Sequence, residues 1–188
     1  MKRFSFLLAL MLLVCSAIDI SIADNAIQLT TDPGADKNPS WNPDGSKIAY
    51  QSEASGNRDI WVMDAYGTNK FQVTTNPSFE GMPDWHPEPD SNKIVFWSDR
   101  DWLATGFPEI YTIHADGSHL DRITSNPYHE KYPTFSPDGS KVAFTRITNN
   151  AWDVWLMNAD GSADTCKLTE GQSGVIHYIN PRWKTDGS

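Results

Sequence analysis

The chain repeats itself, and the period of the repeat limits its fold more than any single motif does. Four segments open alike: Leu29-Thr30-Thr31, Val73-Thr74-Thr75, Ile123-Thr124-Ser125 and Leu168-Thr169-Glu170, spaced by 44, 50 and 45 residues. Each leads through a polar loop to Pro, any residue, then an aromatic: Pro39-Ser40-Trp41, Pro83-Asp84-Trp85, Pro133-Thr134-Phe135 and Pro181-Arg182-Trp183. A turn follows, Pro43-Asp44-Gly45-Ser46 and Pro137-Asp138-Gly139-Ser140, with Thr185-Asp186-Gly187-Ser188 as its fourth version. The second copy departs, reading Pro87-Glu88-Pro89-Asp90.

Two apolar runs come after each turn. They are Lys47-Ile48-Ala49-Tyr50 with Asp59-Ile60-Trp61-Val62-Met63, Lys93-Ile94-Val95-Phe96 with Glu109-Ile110-Tyr111-Thr112-Ile113, and Lys141-Val142-Ala143-Phe144 with Asp153-Val154-Trp155-Leu156-Met157. Runs this short, rich in β-branched and aromatic residues and bounded by Gly, Pro, Asn or Asp, read as strands. Pro-Asp-Gly pre-sets one backbone angle and supplies Gly for a positive one, so it joins neighbouring antiparallel strands. Four short strands per unit at this period make the blade of an all-β propeller, built of four-stranded antiparallel sheets. The eight Trp of the chain then have a cause, because stacked sheets need large flat side chains between them.

The succession Leu-Thr, loop, Pro-x-Trp, Pro-Asp-Gly-Ser, Lys-Ile-Ala-Tyr, Asp-Ile-Trp-Val-Met resembles the propeller repeat of the TolB-like family, which is WD-repeat-like without the Trp-Asp signature, over residues 29–188. The resemblance implies about six blades in a full ring. It places blades at about 36–74, 80–124 and 130–169, a partial blade at 177–188, and lone flanking strands at 26–30 and 180–184. Three blades do not close such a ring. The expectation is a truncated product, with completion of the ring by a second copy as the alternative. Open blade edges and faces then invite self-association. The resemblance implies a module that binds protein, peptide or glycan, or else the propeller portion of a larger secreted serine peptidase, hydrolase or polysaccharide lyase.

Residues 1–23 read as a secretory signal peptide: Met1-Lys2-Arg3, a nearly unbroken apolar run from Phe4 to Ala17, and small residues Ser21 and Ala23 before the cleavage point. The run is too short to span a bilayer. Lipidation at Cys15 ranks second, since Val14 is not small. The expected location is the periplasm or outside the cell, with no membrane span after cleavage. Cleavage removes Lys2, Arg3 and Asp19, making the formal charge one unit more negative than the −9 of the whole chain. It also leaves Cys166 as the only thiol, so no intramolecular disulfide forms. This acidity, without any basic stripe, excludes a nucleic-acid partner.

No catalytic signature is present. Gly171-Gln172-Ser173-Gly174 misses the nucleophile-elbow spacing, and His129-Glu130 begins a zinc-protease pattern whose partner position holds Pro133. Asn158-Ala159-Asp160-Gly161 lacks the later ligands of a calcium loop. No metal site and no cofactor is assigned. The binding candidates lie in loops that the propeller gathers around its channel. Asp36, Glu80 and Glu130, with Tyr178 in the fourth copy, stand three residues before each Pro. They form either a ring of carboxylates facing a basic ligand or acids that bond within their own loops. Lys37, Met82, His129, Lys131, Tyr132 and His177 differ between copies and are candidates for specificity. Trp102, in the long insertion of the second copy, is a candidate anchor.

Overall fold

The structure, a computed structural model, describes residues 26–162, 166–170 and 180–184. The signal-peptide residues and the candidates His177 and Tyr178 lie outside the described residues. Three four-stranded antiparallel sheets follow one another along the chain. The first comprises β1 (Asp36–Trp41), β2 (Lys47–Ser52), β3 (Asp59–Asp64) and β4 (Phe71–Gln72). The second comprises β5 (Glu80–Trp85), β6 (Lys93–Ser98), β7 (Glu109–His114) and β8 (Asp121–Arg122). The third comprises β9 (His129–Phe135), β10 (Lys141–Thr148), β11 (Ala151–Asn158) and β12 (Cys166–Lys167). Every strand pairs with its sequence neighbour, so each sheet is a meander, and no sheet closes on itself. The Pro-rich turn of the second copy becomes a 3-10 turn, Pro89–Ser91, ended by Asn92 at φ 48°.

The blades stack through their apolar faces. Ala49, Ile60 and Val62 of the first sheet meet Trp85, Ile94, Phe96, Tyr111 and Ile113 of the second in one buried cluster. Val95, Trp97 and Ile110 meet Phe135, Val142, Phe144 and Met157 of the third in another. Because alternate residues of a strand point to opposite faces, Ile94 and Phe96 serve one interface while Val95 and Trp97 serve the other. A central blade is therefore apolar on both faces.

The signature Thr is explained by hydrogen bonds. Thr74, Thr124 and Thr169 each accept a backbone N–H of the third strand of a blade, from Ile60, Ile110 and Val154, at 2.9, 2.9 and 3.0 Å. Thr124 and Thr169 also donate to the buried acid one residue before that N–H, Glu109 at 2.7 Å and Asp153 at 3.1 Å. The residue before each Thr closes the array. A Cβ on Gly67, Gly117 or Gly161 would lie 2.7, 3.2 or 2.8 Å from the carbonyl oxygen of Leu29, Val73 or Ile123 respectively. Leu29 thus stands to the first blade as Val73 stands to the second and Ile123 to the third.

Neither flanking segment is a paired strand among the described residues. Trp183 nevertheless docks on the third blade, its indole N–H donating to the Thr134 carbonyl at 3.3 Å. At the other end, Trp41 is 55% exposed, whereas its counterparts Trp85 and Phe135 are 6% and 5% exposed between blades.

Candidate binding face

In each meander the loops between second and third strands, and those leading into the next blade, lie at the same end. The inner strands β1, β5 and β9 start there, so this end carries the candidates Asp36, Glu80 and Glu130. The structure separates the three acids. Glu80 and Glu130 are fully buried. Glu80 takes the Ser98 hydroxyl at 3.0 Å and the guanidinium of Arg100. Glu130 takes Arg146 Nε at 2.6 Å and the Asn126 amide at 2.9 Å. Burial raises the pKa of Glu80, and the Arg100 charge opposes the rise. Asp36 is half-buried. The position matching Arg100 in the first copy is Ala54. Burial, with Asp36 and Asp32 adding to it, pushes the Tyr50 phenol up to about 12.

Both arginines are held by aromatic rings as well. Arg100 lies 5.7 Å from the centroid of Phe96 and 5.0 Å from Tyr111. Arg146 lies 4.4 Å from Trp155, 5.3 Å from Phe144 and 5.5 Å from Tyr128. Glu80 and Glu130 are thus buried and paired with arginine, as internal braces of their blades.

An irregularity common to all three inner strands shapes the cleft between them. The register of each slips, between Lys37 and Ser40, Gly81 and Asp84, and Lys131 and Thr134. At each slip the residue before Pro turns left-handed: Asn38 at φ 54°, Met82 at 55° and Tyr132 at 58°, with Asn180 at 55°. Asn tolerates this region; Met and Tyr do so at a cost of about 1–2 kcal/mol. Bulges re-aim side chains in this way. Asn38, Met82, Tyr132 and Asn180 line a narrow cleft of about 20 Å³, with Asp84 and Arg182 in its wall.

Asp84 is the residue the sequence did not single out. Its carboxylate accepts Ser40 Oγ at 3.0 Å from the first blade, and Thr134 Oγ1 at 3.0 Å and the Phe135 N–H at 2.9 Å from the third. It ties three blades together at the cleft, and burial raises its pKa. Its signal was available as the one carboxylate at the Pro-x-aromatic position, where the other copies carry Ser40, Thr134 and Arg182.

The remaining candidates divide between two places. Lys37 is exposed on the first blade. Lys131 lies half-buried over Trp97, 4.3 Å from the ring centroid, and burial lowers its pKa. Trp102, on the one-turn helix α1 (Trp102–Thr105), meets His129 at 5.8 Å between ring centroids. Phe107 packs edge-on to the same imidazole at 5.1 Å. Burial and the nearby Lys131 charge lower the His129 pKa. On the same end Glu53, Arg58 and Phe79 border an open groove of about 510 Å³. Among the described residues no three His, Cys, Asp or Glu are grouped to hold a metal ion, and no helix is long and apolar enough to cross a membrane.

Known proteins resemble this chain in sequence or fold. The Tol-Pal system protein TolB of Anaeromyxobacter dehalogenans is 45% identical over 49 residues, 26% of this chain and 10% of that protein. A TolB-type structure from Agrobacterium tumefaciens matches with TM-score 0.68 and 29% identity, over 85% of this chain and 57% of its own length. TolB from Acinetobacter baumannii matches with TM-score 0.63 and 23% identity, over 77% and 36%. An oligogalacturonate lyase in complex with manganese has the same fold at TM-score 0.59 and 13% identity, over 82% and 45%. The chain therefore spans about a tenth of the curated relative and little more than half of the Agrobacterium structure. The sequence model described as TolB beta propeller domain matches residues 18–173, most of the chain, and the chain belongs to that family.

Proposed function

We propose that the chain is a binding module of the periplasm or another secreted compartment, capturing a protein or peptide on its loop face without chemistry of its own. One observation carries the reading. The carboxylates that recur in the second and third blades are locked to Arg100 and Arg146, while residues that differ between blades, Met82 and Tyr132, line the cleft between the inner strands at left-handed bulges. A rigid repeated scaffold with variable residues at its mouth suits recognition. The apolar leader after Lys2-Arg3 supports export, and the match to a Tol-Pal system protein supports a partner that is itself a protein.

Photo-crosslinking tests it. p-Benzoylphenylalanine at position 132, in cells exporting the chain, gives a protein adduct that the same group gives far less at position 66, an exposed residue in a turn at the other end. Replacing Met82 and Tyr132 together by Asn keeps the left-handed backbone and weakens the identified partner at least tenfold. Equal adducts at 66 and 132, or none at either, overturn the reading. The second reading, the propeller portion of a larger hydrolase or lyase, draws support from the fold shared with the manganese-bound lyase. A catalytic domain encoded in the same reading frame beyond Ser188 would favour it.

A further inference from the structure

We propose that the insertion of the second blade is a preformed knob, with Leu103 at its apex and Trp102 as its shoulder, that enters an apolar pocket of a protein partner. The proposal rests on the binding reading above and gives it a second, separate point of contact. Leu103 is 102% exposed and Trp102 47%, on one helical turn that projects from the β6–β7 loop.

That turn is held from below. The Asp101 carboxylate accepts the Tyr111 hydroxyl at 2.7 Å and Arg122 at 2.9 Å. Thr105 Oγ1 donates to the Asp101 carbonyl at 3.1 Å, and the Gly106 N–H closes on the Trp102 carbonyl at 2.7 Å with Gly106 left-handed. With the backbone of the turn held by these bonds, the loop has little backbone entropy left to lose on docking.

The knob is the centre of an apolar arc. At its base Asp99 and Phe79 exchange bonds, Phe79 N–H to Asp99 Oδ1 at 2.7 Å and Asp99 N–H to the Phe79 carbonyl at 3.1 Å. Phe79 is half exposed. On the far side Trp102 meets His129, next in sequence to Tyr128, which is 39% exposed.

Charge and shape choose the occupant. The cations beside the arc are engaged within the protein: Arg58 by Glu53 and the Phe79 ring, Arg100 by Glu80, Arg122 by Asp101, and Lys131 over Trp97. With the chain at −9, an anionic lipid surface or an acidic polymer is disfavoured. A stacking sugar is disfavoured too. Arg58 lies over Phe79 and Arg146 over Tyr128, so one face of each of these rings is taken, and the aliphatic apex gives a sugar no ring to stack on. A convex aliphatic-aromatic tip calls for a concave apolar pocket with a neutral or basic rim.

p-Benzoylphenylalanine at position 103 of the full chain, beside the probes at 132 and 66, gives one protein adduct, identified by mass spectrometry. Titrated with that purified partner, Leu103→Asp and Trp102→Ala each bind at least tenfold more weakly, and Leu103→Asp melts at the wild-type temperature because its side chain is fully exposed. A lipid adduct, a second copy of this chain, or unchanged affinity of Leu103→Asp overturns the knob. Protein adducts at 132 with none at 103 overturn the knob alone; none at either position overturns the binding reading with it.

Discussion

At the scale of single residues, the same chemical type plays different parts according to what the fold places beside it. Asp36, Glu80 and Glu130 occupy matching positions, yet two are sealed against guanidinium groups and one is half exposed. Sequence shows the recurrence and leaves the outcome open, because Arg100 lies in a loop after β6 and Arg146 within β10, at different steps from their acids. The signature Thr is likewise visible as a repeat, but its work requires knowing which N–H it meets. Thr124→Val leaves both the Ile110 N–H and a Glu109 oxygen unpaired inside the second blade, so unfolding in urea shows a loss of about 2–3 kcal/mol. A loss below 0.5 kcal/mol contradicts the role given to this hydroxyl.

At the scale of elements, strands and turns follow from local chemistry, since β-branched runs punctuated by Pro-Asp-Gly have few alternatives. What joins one blade to the next is not local. His86, at the end of the second blade's inner strand, packs edge-on to Phe135 at 4.8 Å and against the third blade's turn, where a Cβ on Gly139 would lie 2.5 Å from the imidazole. Gly139 also holds φ 71°. Gly139→Ala therefore loses about 1–2 kcal/mol from the backbone alone, and more from the displaced ring, read as a melting temperature lowered by several degrees. The contact carries a pH dependence of known sign. Burial lowers the His86 pKa, so the unfolded chain takes up the proton first. The stability it confers is complete above about 6.5 and falls as pH drops through that value. His86→Gln removes this part of the acid-side loss, and a slope unchanged between pH 7 and 5 contradicts it.

At the scale of the whole molecule, the described blades form an open array, and the exposure of Trp41 beside its buried counterparts marks the face where stacking stops. Such a face associates. Sedimentation of the folded chain is expected to depend on concentration, and Trp41→Lys to shift it toward monomer; identical profiles for both would place the association elsewhere. The 45-residue period, the Pro-x-aromatic positions and the turn residues determined by themselves that the chain forms four-stranded blades, because each encodes a local preference that is repeated and consistent. Only the tertiary structure decided what each candidate residue touches. Asp84 becomes a three-blade tie, Glu80 and Glu130 become braces, Met82 and Tyr132 become part of a cleft lining, and Leu103 becomes an apex. Each role is fixed by neighbours from other strands or blades, or by their absence, and burial and electrostatics depend on such distances in space, not on spacing along the chain.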